Sequence, residues 1–220
     1  MKEVSVSVLC CDFLHLYGEI TKVNNDDRVS TIHLDIMDGI YVPNISFGFN
    51  IIEQIHSVST KPCIAHLMIS DPLKYISKIS EIGIKEIIIH LHNDLQYMSR
   101  CIKKCEKLGI NIGIALNPED SPGVIVSNDI FREIYKVLIM TVNPGFGGQK
   151  FDQTQLSKIE PIKKILPKAK IEIDGGVKFS MLDDIKNVDC FVIGTDFFKK
   201  QSFLNLPSAT QRFAKVNYRG

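Results

Sequence analysis

Apolar residues recur along this chain in short runs at nearly even spacing. Runs at residues 4–10, 31–35, 62–66, 86–90, 111–116, 136–141, 170–173 and 189–193 carry the strand signature. Several are continuous, such as Ile87-Ile88-Ile89 and Val137-Leu138-Ile139-Met140. Continuous runs suit strands buried on both faces, as in a parallel sheet covered by helices. Helical spacing fills the gaps. Asp12 can cap a helix over residues 13–23, and Asp71 followed by Pro72 opens one that runs over 73–82. Further helices are expected over 95–108, 155–166 and 179–185, with a weaker one over 122–127. Gly83 and Gly109 stand where helix ends need a left-handed residue. Eight strand–helix units in 220 residues predict an α/β protein, a single (β/α)8 barrel domain over 1–220. An open doubly wound sheet is the competing arrangement. No low-complexity linker or shift in composition marks a second domain.

Composition narrows the class. Apolar residues make up 45% and charged residues 23%, values of an ordinary globular chain and not of a disordered or collagen-like one. Lys plus Arg is 26 against 25 for Asp plus Glu, a net charge of +1. That balance, with no basic stripe, argues against a nucleic-acid partner. No apolar run reaches the ~18 residues of a membrane span. The chain enters its first alternating segment directly, without a leader pattern, so a cytoplasmic protein is expected. The mildly basic tail (Lys199, Lys200, Arg212, Lys215, Arg219) reads as a solvated, frayed terminus. None of the six cysteines forms a C-x-x-C pair, which disfavours a thiolate zinc site. Cys101 and Cys105 read as reduced thiols on one helix face.

In a barrel the chemistry collects at the C-terminal strand ends. Those places hold few polar residues. His33 and Asp35 are two apart on one strand and so share a face. His66 ends the third strand and Asp174 follows the seventh. Two imidazoles and two carboxylates converging on a barrel mouth would hold a divalent ion, Zn²⁺, Fe²⁺, Co²⁺ or Mn²⁺ before Ca²⁺ or Mg²⁺. The sixth strand runs into Asn143-Pro144-Gly145-Phe146-Gly147-Gly148-Gln149, whose glycines let backbone N–H groups approach an anion. Gly194-Thr195 after the eighth strand opens a short helix. Barrel phosphate sites are often built from the last loops, so a phosphorylated small substrate is expected. His90 and His92 either line the pocket or pack, and His15 and His56 read as helix-surface residues. Met37, Met68 and Met140 near strand ends are either core or an apolar collar that keeps water from a reactive intermediate.

The same residues carry a family likeness. The segments Ser7-Val8-Leu9, Asp12-Phe13, His33-Leu34-Asp35-Ile36-Met37-Asp38-Gly39, Val42-Pro43-Asn44, His66-Leu67-Met68, Asn117-Pro118, the ten residues from Met140 to Gln149, and Asp174-Gly175-Gly176 resemble the ribulose-phosphate 3-epimerase family. The resemblance covers about residues 4–198. It implies a TIM barrel that interconverts D-ribulose 5-phosphate and D-xylulose 5-phosphate. It implies one divalent metal ion per subunit, Zn²⁺ or Fe²⁺ foremost, on His33, Asp35, His66 and Asp174. Asp35 and Asp174 match the acid–base pair. Ser7, His66, Gly145, Phe146, Gly147, Gly148, Asp174, Gly175, Gly176, Gly194 and Thr195 match substrate-contacting positions. A homo-oligomer is implied as well. The chain departs from the family pattern at Cys10-Cys11, where Ser-Ala is usual, near His92, where Glu is usual, and at Thr195, where Ser is usual.

Epimerisation beside a ketone removes a proton from one face and returns one to the other, through an enediolate. Two carboxylates from strands two and seven, across the barrel mouth, would serve both faces, one ionised and one protonated. The reaction is redox-neutral and needs no nicotinamide or flavin. Three rivals remain at the level of sequence. One is an epimerase for a six-carbon ketose phosphate such as D-allulose 6-phosphate. Another is a phosphosugar-binding barrel without catalysis, which the intact Asp and His set disfavours. The third is a lyase on a related barrel, which the lack of a strand-end lysine disfavours.

Overall fold

In the computed structural model, which describes residues 2–198, all eight strands form and close on themselves. They are β1 (Glu3–Ser7), β2 (Thr31–Met37), β3 (Cys63–Met68), β4 (Glu86–His90), β5 (Asn111–Leu116), β6 (Lys136–Met140), β7 (Lys170–Asp174) and β8 (Cys190–Ile193). Every neighbouring pair is parallel, and β1 pairs with β8 to complete the barrel. The open-sheet alternative is thereby excluded. The basic tail lies outside the described residues.

Helices α1 (Leu16–Asn24), α2 (Phe49–Val58), α3 (Ile76–Ile82), α4 (Leu95–Lys107), α5 (Gly123–Val126), α6 (Ile159–Ile165) and α7 (Thr195–Phe198) separate the strands or follow them. Outward strand residues such as Ile87, Ile89, Val137 and Ile139 pack with Ile52, Ile79, Met98 and Ile162 of the helices in one large core. Inward residues Ile64, Ile88, Ala115, Leu138, Met140 and Val192 fill the barrel separately. This two-sided burial is why the strands read as unbroken apolar runs.

Several boundaries differ from the sequence expectation. The first strand stops at Ser7, and Val8–Cys10 turn into a 3-10 helix because the Ser7 hydroxyl accepts from Leu9 N–H. Asp12 does cap, but it caps a 3-10 turn at Phe13–His15 before α1 begins. Asp71 makes no side-chain cap: its carboxylate accepts the Tyr97 hydroxyl at 2.7 Å, and a 3-10 helix at Pro72–Lys74 precedes α3. The helix expected over 155–166 is a 3-10 helix, Gln153–Lys158, that continues into α6. Only a 3-10 turn, Phe179–Met181, forms where residues 179–185 read as helical. Helix α2 had no start signal, since Gly48 precedes it and offers no side-chain acceptor. Gly83 takes the left-handed conformation expected after α3.

Candidate metal and acid–base centre

Strands β2 and β3 pair with Asp35 opposite His66. With the side chains of β2 alternating, His33 and Asp35 both enter the barrel, and His66 enters beside them. Asp174 arrives from the end of β7, across the mouth. His33 and His66 are wholly buried and Asp35 nearly so. His33 Nε2 lies 3.1 Å from His66 Nδ1 and 3.4 Å from Asp35 Oδ1. His66 Nδ1 lies 3.0 Å from Asp35 Oδ1, and both imidazole nitrogens lie 3.9 Å from Asp174 Oδ2. One donor atom from each of the four residues falls within 4.8 Å of all the others. Two nitrogens and two oxygens, buried and convergent, fit a divalent cation of the first transition series.

The electrostatics separate the two carboxyls. Burial alone would raise Asp35, but His33 and His66 outweigh it and hold the carboxyl far below its usual range. Ser7 Oγ donates to the other Asp35 oxygen at 2.6 Å. Asp174 has the reverse environment. Burial and the negative charge of Asp35 push it up to about 7. On His33 burial opposes the charge, yet Asp35 carries its pKa up to about 9. On His66 burial wins and the pKa falls. The pair is therefore one ionised carboxylate and one held near neutrality, the division that acid–base work requires.

Above this centre a cleft, partly open to solvent, runs from Ser7, Asp35 and Asp174 to the glycine loop after β6. Gly145, Phe146, Gly147, Gly148, Gly175, Gly176, Gly194 and Thr195 all line it. The substrate-contacting candidates other than His66 thus line one cleft, and His33 and His66, outside its lining, meet Asp35 and Asp174 at its base. Met37, Met68 and Met140 are buried and line the same cleft, as a collar around the carboxylates. Gly176 shows why glycine stands in the loop. Its φ is +65°, and a Cβ there would meet Phe151 N at 2.5 Å and Gln149 O at 2.6 Å. Gly147 packs likewise, with a Cβ only 2.5 Å from Cys10 Sγ. Cys10 Sγ touches Thr195 Oγ1 at 3.4 Å.

His90 joins the centre, with Nε2 2.9 Å from His66 Nε2, whereas His92 is exposed and turns away to accept from Asp94 N–H. His15 is exposed as expected, while His56 is only half-exposed and packs against Gly83. Sequence reasoning missed Tyr41 and treated Asn117 only as part of a motif. Tyr41 packs against the Met37–Met68 cluster and accepts a hydrogen bond from Asn117 Nδ2 at 2.8 Å. Their only signal in sequence was position, in loops after strands two and five.

A closed parallel barrel with paired carboxylates and a two-histidine donor set at its C-terminal mouth defines a (β/α)8-barrel enzyme. Comparison with known proteins sharpens that class. The sequence model of the Ribulose-phosphate 3 epimerase family matches residues 3–198. The Ribulose-phosphate 3-epimerase of Bacillus subtilis is 38% identical over 182 residues, 80% of this chain and 82% of its own length. That of Aquifex aeolicus is 34% identical, over 90% of each chain. The cytoplasmic isoform from Oryza sativa is 30% identical, over 89% of this chain and 87% of its own. Among solved structures, a mutant tryptophan synthase α-subunit from Pyrococcus furiosus superposes with a TM-score of 0.66 at 13% identity, over 90% of this chain and 89% of that one. That last likeness shows the barrel alone. The chain belongs to the ribulose-phosphate 3-epimerase family and is an isomerase of the epimerase kind. No helix among the described residues is long and apolar enough to cross a membrane.

Proposed function

We propose that this chain interconverts D-ribulose 5-phosphate and D-xylulose 5-phosphate by two-base proton transfer, with one divalent ion held by His33, Asp35, His66 and Asp174. The observation that carries the reading is the meeting of Asp35 and Asp174, from β2 and β7, at one cleft with His33 and His66 beside them. A bound Zn²⁺ or Fe²⁺, or Co²⁺ or Mn²⁺ in their place, would supply Lewis-acid stabilisation of the negative charge that grows on the sugar oxygens. The remaining work falls to the chain. Asp35, ionised and oriented by the Ser7 hydroxyl, takes the C3 proton. Asp174, protonated, delivers one to the opposite face, and the roles exchange in the reverse direction. The methionine collar excludes water from the enediolate. Backbone N–H groups of Gly145, Phe146, Gly147, Gly148, Gly175, Gly176 and Gly194, with the Thr195 hydroxyl, would bind the phosphate.

The chain is taken as one domain over 1–220, supported by closure of the barrel within the described residues. Cytoplasmic placement is supported by the labelled isoform of Oryza sativa. A homo-oligomer is supported by the family and by exposed Leu14, Tyr17, Ile40 and Ile45. The test is a coupled assay on chelator-stripped protein, with and without Zn²⁺, Fe²⁺, Co²⁺ or Mn²⁺. Xylulose 5-phosphate formed only with added metal is expected. Folded protein without turnover under every metal, but active on allulose 6-phosphate, would overturn the pentose assignment.

A further inference from the structure

Two imidazole nitrogens cannot sit 2.9 Å apart as a hydrogen bond unless one carries a proton and the other a lone pair. His66 Nε2 and His90 Nε2 are such a pair, both deep in the barrel, with the rings stacked at 5.0 Å and 18°. The other nitrogen of His66, Nδ1, faces Asp35 and His33, and it is the atom that joins the four-donor cluster. If Nδ1 offers its lone pair to a cation, the proton of neutral His66 must lie on Nε2. His90 Nε2 is then the acceptor, and the His90 proton must lie on Nδ1.

The surroundings of His90 favour that tautomer independently. Its Nδ1 is buried and lacks a hydrogen-bond partner, and so is the side-chain oxygen of Asn117. One is a donor in search of an acceptor and the other an acceptor in search of a donor. The Asn117 side chain lies against His90. The Asn117 amide nitrogen is committed to the Tyr41 hydroxyl at 2.8 Å, which leaves its oxygen for another partner. Its backbone is pinned too, with N–H donating to Asp120 at 2.7 Å and the carbonyl accepting from Lys158 at 2.6 Å. The Tyr41 ring packs on His90 at 4.8 Å between centroids. Donor can follow acceptor from His66 to His90, and Asn117 donates to Tyr41.

We propose that His90 is a positioning residue: its Nε2 accepts the His66 Nε2–H and so holds His66 in the tautomer and orientation that free Nδ1 for a divalent cation, with Asn117 fixing His90 in turn. Outer-sphere acceptors of this kind commonly matter 10- to 100-fold to metal affinity. The inference rests on the metal-binding reading given above.

The test combines two variants with one measurement on the unaltered protein. Zn²⁺ affinity is measured by competition with a chromophoric chelator, the Co²⁺ form is recorded in the visible region, and kcat and KM are determined. His90→Leu removes the acceptor at similar volume. It is expected to lose about 10- to 100-fold in Zn²⁺ affinity, to shift the Co²⁺ bands, and to lower kcat more than it raises KM. His90→Gln places an oxygen near the lost nitrogen and is expected to restore affinity to within a few-fold. Imidazole ¹⁵N NMR of the metal-loaded wild type is expected to show the proton on Nε2 of His66 and on Nδ1 of His90. Folded His90→Leu with wild-type affinity and spectrum, or a proton on Nε2 of His90, overturns the proposal. Should His90→Leu fail to fold, the tautomers and the Gln variant decide. Wild-type protein that binds neither Zn²⁺ nor Co²⁺ overturns the metal reading itself, whereas binding that ignores residue 90 overturns only this inference.

Discussion

Asp35 and Asp174 are the same residue type in opposite surroundings, and that difference is the basis for two separate roles. Asp35 accepts from Ser7 and lies 3.0 Å from His66 Nδ1, while Asp174 meets burial and the charge of Asp35. Asp35→Asn and Asp174→Asn should each lower turnover by about 10²- to 10⁴-fold, the usual worth of a general acid or base. Circular dichroism should show the barrel intact. Near-wild-type activity in either variant would sink the two-base assignment. Ser7→Ala removes one bond to an ionised carboxylate, worth roughly 1.5–3 kcal/mol. A loss of kcat/KM of the order of tenfold or more is expected, smaller than either Asp variant. Equal losses for Ser7 and Asp35 would mean that Ser7 does more than orient its neighbour.

At the scale of elements, the barrel was legible because each strand is buried on both faces and so reads as an apolar run. The four cluster residues were legible because polar groups at the ends of such runs have few places to go. What the sequence hid is set by contacts between elements. Helix α2 begins at a glycine with no capping side chain, and Asp71 is diverted from capping by Tyr97, which belongs to α4. His90 looked ambiguous because its partner is 24 positions away and meets it only when β3 and β4 align. The loop after β2 is held in the same non-local way. Asp38 accepts from Ile40, Tyr41 and Ser70 N–H groups. Slight burial pushes its pKa up, but these donors outweigh that and hold it at about 2. An unfolded aspartate titrates near 3.9. The folded pKa is depressed, so the stabilisation is complete above about 4 and is lost as pH falls toward about 2. Asp38→Asn should flatten this part of the acid-unfolding profile in urea titrations between about pH 4 and pH 2. Because Tyr41 and Val42 sit in the same loop, KM should also rise several-fold. An unchanged acid profile would show that the three N–H bonds stabilise nothing.

Across the whole molecule, polarity is divided between the two ends of one barrel. The C-terminal mouth holds the candidate centre, and the strand starts hold a buried ion cluster. Lys136, the first residue of β6, is 1% exposed and places Nζ 2.5 Å from Glu86 and 2.9 Å from Glu172. Burial opposes its charge, but the two carboxylates outweigh burial and raise its pKa. Glu172 also accepts from the Cys190 thiol at 3.2 Å. Ile64, Ile88 and Leu138 lie in the apolar fill of the same barrel interior. Such a cluster contributes little against a well-packed apolar replacement, yet breaking it is costly because the partner charges stay buried. Lys136→Met should therefore cost about 3–5 kcal/mol, a fall in Tm of roughly 6–20 °C for a chain of this size. Replacing Glu86 by Leu and Glu172 by Gln together with Lys136→Met should recover most of that loss, since no uncompensated charge remains. Calorimetry on the single and triple variants decides. A single variant as stable as wild type would mean that the two carboxylates pick up protons or water without penalty, and that the barrel floor is softer than its burial indicates.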